Sequence, residues 1–166
     1  MSTTRRTTVV TLAALTAAGA LAATPAGADL VVQQSLAGIS PGMTRAQVEA
    51  VLGAPQKVTT RPDDIMGSYD ELRYGLTKVS ISGGEEGSVF SISTTSKKQR
   101  TSSGVGVGTT EKTLRRKVKG LRCSTYAGRF RICMVGRLTP GQTVTDFRIG
   151  KTSKKVVSIQ LGLVID

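Results

Sequence analysis

A segment near the start of the chain returns 66 residues later, and this internal repeat constrains the fold more than any other feature. Ile39-Ser-Pro-Gly-Met-Thr-Arg-Ala-Gln-Val-Glu-Ala-Val-Leu-Gly53 is answered by Val105-Gly-Val-Gly-Thr-Thr-Glu-Lys-Thr-Leu-Arg-Arg-Lys-Val-Lys-Gly120. Gly42 aligns with Gly108, Thr44 with Thr110, Val48 with Leu114 and Leu52 with Val118. Self-similarity at a fixed spacing means one structural unit used twice.

Each copy carries helix signals. Thr44 is a good N-cap, and Gln47 three residues on completes a capping box. Val48, Val51 and Leu52 share one helical face, and Gly53 with Pro55 ends the helix. In the second copy Thr110 can cap, Leu114, Val118 and Leu121 form the buried face, and Gly120 ends the helix. Strand-like runs follow each helix. After the first come Leu72 to Tyr74, Lys78 to Ser82 and Val89 to Thr95, with Gly83 to Gly87 as a hairpin turn. After the second come Arg129 to Val135, Val144 to Ile149 and Val156 to Ile165, with turns at Pro140-Gly141 and Gly150 to Lys155. In the last run Val157, Ile159, Leu161 and Leu163 alternate with more polar positions and are expected to face the core. The expected fold is α+β: two tandem helix-plus-three-strand repeats, residues 29–100 and 101–166, forming an antiparallel sheet with the helices packed on one face.

Gly42-Met-Thr-Arg-Ala-Gln-Val-Glu-Ala-Val-Leu-Gly-Ala-Pro55 resembles the opening motif of the SmpA/OmlA (BamE-like) family, and the doubled arrangement resembles the tandem unit of the beta-lactamase inhibitor protein fold. The resemblance implies action by binding other proteins rather than by catalysis. BamE-like proteins are lipoproteins, whereas this chain has no cysteine at the point where a lipid would be attached.

Residues 1–28 read as a signal peptide. Arg5 and Arg6 form a basic start, Val9 to Ala23 carries no charge, and Ala26-Gly27-Ala28 fits small-x-small cleavage before Asp29. The apolar run is short for a membrane span of about 20 residues. Arg5-Arg6 leaves the export route open between general secretory and twin-arginine. The expected location is secreted, and a pair of cysteines in an exported chain, Cys123 and Cys133, is expected to form a disulfide.

The chain has no histidine, which excludes Ser-His and Cys-His nucleophile pairs. The acidic pairs Asp63-Asp64, Asp70-Glu71 and Glu85-Glu86 read as solvated turn and strand charges. Glu85-Glu86 offers too few oxygens for a calcium cage, and Gly104-x-Gly-x-Gly108 lacks the Lys-Ser/Thr of a phosphate loop. Neither an enzymatic activity nor a cofactor or metal is expected.

Charge is unevenly placed. Residues 29–100 hold eight basic and eight acidic side chains, and residues 101–166 hold 13 and three. Lys112, Arg115, Arg116 and Lys119 fall at helical spacing opposite the apolar face. Lys151, Lys154 and Lys155 cluster in the last hairpin loop, and Arg122, Arg129 and Arg131 lie near the cysteines. A plain solvated face is the competing reading. A one-sided field of this size attracts polyanions. The expected function is a secreted, monomeric protein-binding module with an envelope or secreted protein as partner. The alternative is a protein held at the envelope by anionic polymers or lipid headgroups through its basic half.

Overall fold

The computed structural model describes residues 29–83, 87–126 and 130–165. The signal segment, the Glu85-Glu86 pair and Arg129 lie outside the described residues. Among these residues the chain forms ten strands and two short helices. A hairpin of β1 (Leu30–Val31) and β2 (Ser35–Leu36) leads into α1 (Arg45–Leu52). Then come β3 (Lys57–Asp63), β4 (Gly67–Tyr74), β5 (Thr77–Ser82) and β6 (Val89–Thr94). Helix α2 (Glu111–Lys117) opens the second half, followed by β7 (Arg122–Tyr126), β8 (Phe130–Val135), β9 (Thr143–Ile149) and β10 (Val156–Leu163).

The expected helix-plus-three-strand repeat is corrected. Strands β3 to β10 form one eight-stranded antiparallel sheet, ordered β3-β4-β5-β6-β10-β9-β8-β7, and four strands follow each helix. The sheet dominates, and the helices are only eight and seven residues long. The two strands missed, β3 and β7, are its outer edges. An edge strand buries little, so its sequence need not alternate apolar with polar. β3 reads Lys-Val-Thr-Thr-Arg-Pro-Asp, and its proline is tolerated because an edge backbone need not donate on both sides.

The helix starts follow from the caps. Thr44 and Gln47 make the full capping box: Gln47 N–H donates to Thr44 Oγ1, and Thr44 N–H donates to Gln47 Oε1 at 2.9 Å. Thr110 accepts from Thr113 N–H at 3.2 Å. Val48 and Leu114 are fully buried, and burial of each such side chain is worth about 1.5–3 kcal/mol. Val51 differs from expectation and is half exposed, because so short a helix presents only a narrow stripe to the sheet. Helix α2 stops at Lys117 with Val118 as its C-cap, ahead of Gly120.

Register places Leu72, Val79, Ile92, Leu161, Thr145 and Val135 in line across the sheet on its buried face. In β10 a bulge between Val156 and Ser158 shifts the phase. Val156, not Val157, is therefore buried with Ile159 and Leu161, while Val157 and Leu163 are exposed. The opposite face carries Tyr69 edge-on to Phe90, a serine-rich centre, and Arg148 above the Phe130 ring.

Candidate functional site

Of the sequence-predicted basic residues, the loop lysines meet the start of α2 at one end of the sheet. The loop joining β9 to β10 is closed by Gly150 N–H to the Lys155 carbonyl and Lys154 N–H to the Gly150 carbonyl, both 2.9 Å. Lys154 itself sits at φ 54. Its carbonyl accepts from Glu111 N–H at 3.0 Å, so the loop caps the first turn of α2 and that turn has no free N–H at this position for an anion. Thr110 and Lys155 form a bridge on the same side.

This docking brings Lys112 in the first turn of α2 close to the loop, together with Lys151, Lys154 and Lys155. Arg115 and Arg116 lie one turn further along and are exposed. Lys119 lies beyond the Val118 cap, past the far end of the helix, so it does not share the face expected for it.

Two hollows flank the loop. One, of about 430 Å³, is lined by Lys151, Lys154, Arg131, Glu111, Phe130 and Ile149 among others. The other, of about 530 Å³, has Lys155, Lys97 and Arg100 in its wall. Lys97 and Arg100 belong to the charge-balanced half of the sequence. Pairing of β6 with β10 carries them across, and nothing local in the sequence signals that pairing.

Described residues 101–165 contain two carboxylates, Glu111 and Asp146. Glu111 is spent on two arginines: Arg131 Nε donates at 2.9 Å and Arg115 at 3.0 Å. Burial pushes the Glu111 carboxyl up, but these hydrogen bonds and charges outweigh it and hold it below the ordinary glutamate range. Among the described residues Lys112, Arg116, Lys119, Lys151, Lys154 and Lys155 therefore have no ion-pair partner.

Cys123 and Cys133 face each other in the β7–β8 register and form a disulfide, with Cα atoms 3.9 Å apart. The Glu111 carboxylate approaches the two sulfurs to within 4.8 Å, the spacing of a three-ligand metal cluster. That donor set does not fit a metal, since disulfide sulfurs are not thiolates and the carboxylate already holds two guanidinium groups. The disulfide is compatible with an exported protein. Among the described residues no helix is long and apolar enough to cross a membrane.

No family model and no curated protein matches the chain. Similar solved structures include the following two. One is a cysteine-rich secretory protein from Staphylococcus aureus, 14% identical with a TM-score of 0.46, covering 74% of this chain and 44% of its own. The other is an extracellular protein containing an SCP domain from Bacillus anthracis, 10% identical with a TM-score of 0.47, covering 73% of this chain and 43% of its own. The chain thus spans less than half the length of either, and neither likeness transfers a ligand or an activity. The expected kinship with the SmpA/OmlA family and the beta-lactamase inhibitor fold is corrected. The 14-residue motif that suggested it is a capped helix start, which unrelated chains share for the same physical reason. The similar structures are secretory and SCP-domain proteins.

Proposed function

We propose that this chain is an exported, non-enzymatic protein that holds an anionic polymer of the cell envelope against its basic second half. The observation that carries this reading is the set of cations around the β9–β10 loop that have no ion-pair partner among the described residues, where Glu111, the carboxylate lining the first hollow, is already neutralised by Arg115 and Arg131. An ordinary solvated face mixes both signs, and uncompensated charge of one sign is costly to keep without a counter-charge. Residues 1–28 act as the signal peptide and are removed before Asp29. The excess positive charge of residues 101–166 repels a second copy, so the protein acts as a monomer. The lack of any histidine supports a role without nucleophilic chemistry.

Binding of this kind works through charge, with little sequence selectivity and a steep dependence on salt. The test is retention of the mature chain on a polyphosphate column and on isolated cell walls. Retention that is released by salt and lost in Lys151→Glu/Lys154→Glu/Lys155→Glu supports the reading. Retention unchanged by the triple reversal removes it. Capture of one stoichiometric protein partner, with no retention on walls or polyphosphate, replaces the polymer with a protein.

A further inference from the structure

A separate hollow lies on the face of the sheet turned away from the helices. One row of the register crosses four strands there: Arg122 on β7, Met134 on β8, Asp146 on β9 and Gln160 on β10. Thr145 and Phe147, the neighbours of Asp146 along β9, are buried in the core, so Asp146 points to the opposite side. Its surroundings form a space of about 340 Å³ walled by Tyr126, Ile132, Met134 and Leu138, with Arg122 and Ser124 at the β7 side. That volume lies in the range of small-molecule sites, about 300–1,000 Å³.

One oxygen of the carboxylate in this wall is unsatisfied. Asp146 Oδ1 is shut off from solvent and has no hydrogen-bond partner among the described residues. Three polar groups on the same face are committed elsewhere. Arg122 donates to the Gly136 carbonyl, Gln160 Nε2 donates to Ser91 Oγ at 3.1 Å, and Arg148 lies over the Phe130 ring. Burial accordingly holds the Asp146 carboxyl above the ordinary aspartate range. An acidic group among apolar walls is costly without a counter-charge, and the cost is relieved by a cation that brings its own apolar cover. A metal ion is a poor candidate, since one carboxylate and a hydroxyl fall short of an oxygen cage. Meanwhile Tyr126 and Leu138 are 58% and 67% exposed, large apolar surfaces at the mouth of the hollow.

We propose that this hollow is a binding site for a primary ammonium group carried on an aliphatic stem, with Asp146 taking the charge and Met134, Ile132 and Leu138 covering the stem. The site is centred on Asp146 and Met134, whereas the polyanion surface is centred on the lysines of the β9–β10 loop. A free alkylamine and a lysine side chain present the same chemistry.

The test uses the whole mature chain and three probes: hexylamine, hexanol of matched length, and N-acetyl-lysine methylamide. Binding is read from the Met134 methyl and Asp146 carboxyl signals by NMR. The expected result is saturable shifts with hexylamine or the lysine amide, at least about tenfold tighter than with hexanol. The tighter of the two amines then identifies the source. Asp146→Asn, which keeps the shape and removes the charge, should abolish that preference. Leu138→Ala, at an exposed position, should weaken both amines while leaving the fold intact by its amide spectrum. Equal affinity for hexanol and hexylamine, an unchanged preference in Asp146→Asn, or shifts that never saturate would overturn the proposal.

Discussion

The Gly108 N–H donates to the Val156 carbonyl at 2.8 Å, and Val156 N–H returns a bond to the Thr109 carbonyl at 2.8 Å. The first half repeats this stitch, with Gly42 N–H to the Val89 carbonyl at 2.7 Å and Val89 N–H to the Met43 carbonyl at 2.8 Å. In both halves the residue that leads into the helix is tied to the first residue of that half's last strand. Those two strands, β6 and β10, pair with each other at the centre of the sheet. The repeat in the sequence is therefore the record of one docking geometry used twice.

Gly108 holds φ at 91 and Gly42 at 86, and a Cβ at either would meet nothing within 4 Å. Replacement by alanine thus isolates the cost of the left-handed backbone from any clash. Gly108→Ala and Gly42→Ala should each lose about 1–2 kcal/mol, read as a shift of the urea midpoint with an unchanged slope. A neutral substitution at either position would show that the stitch is not under that constraint.

Acid stability turns on Glu71 and Glu111, each held by two cations and each below the ordinary glutamate range despite burial that pushes it up. A carboxyl lowered in the folded state contributes stability that is complete above its unfolded value. That contribution is lost as pH falls through the folded one. The fold should therefore weaken progressively below about pH 4. Glu111→Gln should cost about 1 kcal/mol at neutral pH and flatten part of the acid limb, leaving the share due to Glu71. Equal acid limbs in wild type and Glu111→Gln, measured by denaturation at several pH values, would assign the limb to other groups.

Helix caps and inner strands were legible in the sequence because their signals are local. Thr44 with Gln47 is a short-range pattern, and runs such as Lys78 to Ser82 alternate because one face meets the core. The edge strands were not legible, since Lys57–Asp63 and Arg122–Tyr126 bury too little to leave a pattern. The bulge after Val156 escaped for a related reason. Both Val156 and Val157 are apolar, so only the pairing with β9 decides which turns inward. Of the basic site, the loop lysines were visible as a cluster. Their neighbours Lys97 and Arg100 were not, because a contact across β6 and β10 joins positions more than 50 residues apart. Asp146 gave no signal at all: an acidic residue within a strand usually faces solvent, and only the walls around it make it unusual.

The Cys123–Cys133 bond closes a short loop with a sequence separation of ten at the sheet edge. In the chain-entropy picture it contributes about 2–3 kcal/mol. Reduction followed by alkylation, or Cys123→Ala/Cys133→Ala, should lower stability by about that amount. Hydrogen exchange should rise first in β7, whose outer side has no neighbouring strand among the described residues. Uniform loss of protection across the sheet would mean instead that the bond supports the whole core through Cys133, which is fully buried.

Two groups of cations that read as one surface in the sequence stand apart in the structure. Lys151, Lys154 and Lys155 flank both hollows at one end of the molecule, whereas Lys112, Arg116 and Lys119 run along α2, with Lys119 past its far end. A polymer seated in the hollows contacts all three loop lysines but only the near end of the helix. Each contact adds to the salt dependence by releasing counterions. Reversal of the loop set should therefore lower the eluting salt on polyphosphate more than reversal of the helix set, and Lys119→Glu alone should change it least. All these side chains are exposed, so each variant should keep the wild-type melting temperature. Equal shifts from the two sets would spread the binding over the whole basic half and remove any special role for the β9–β10 loop.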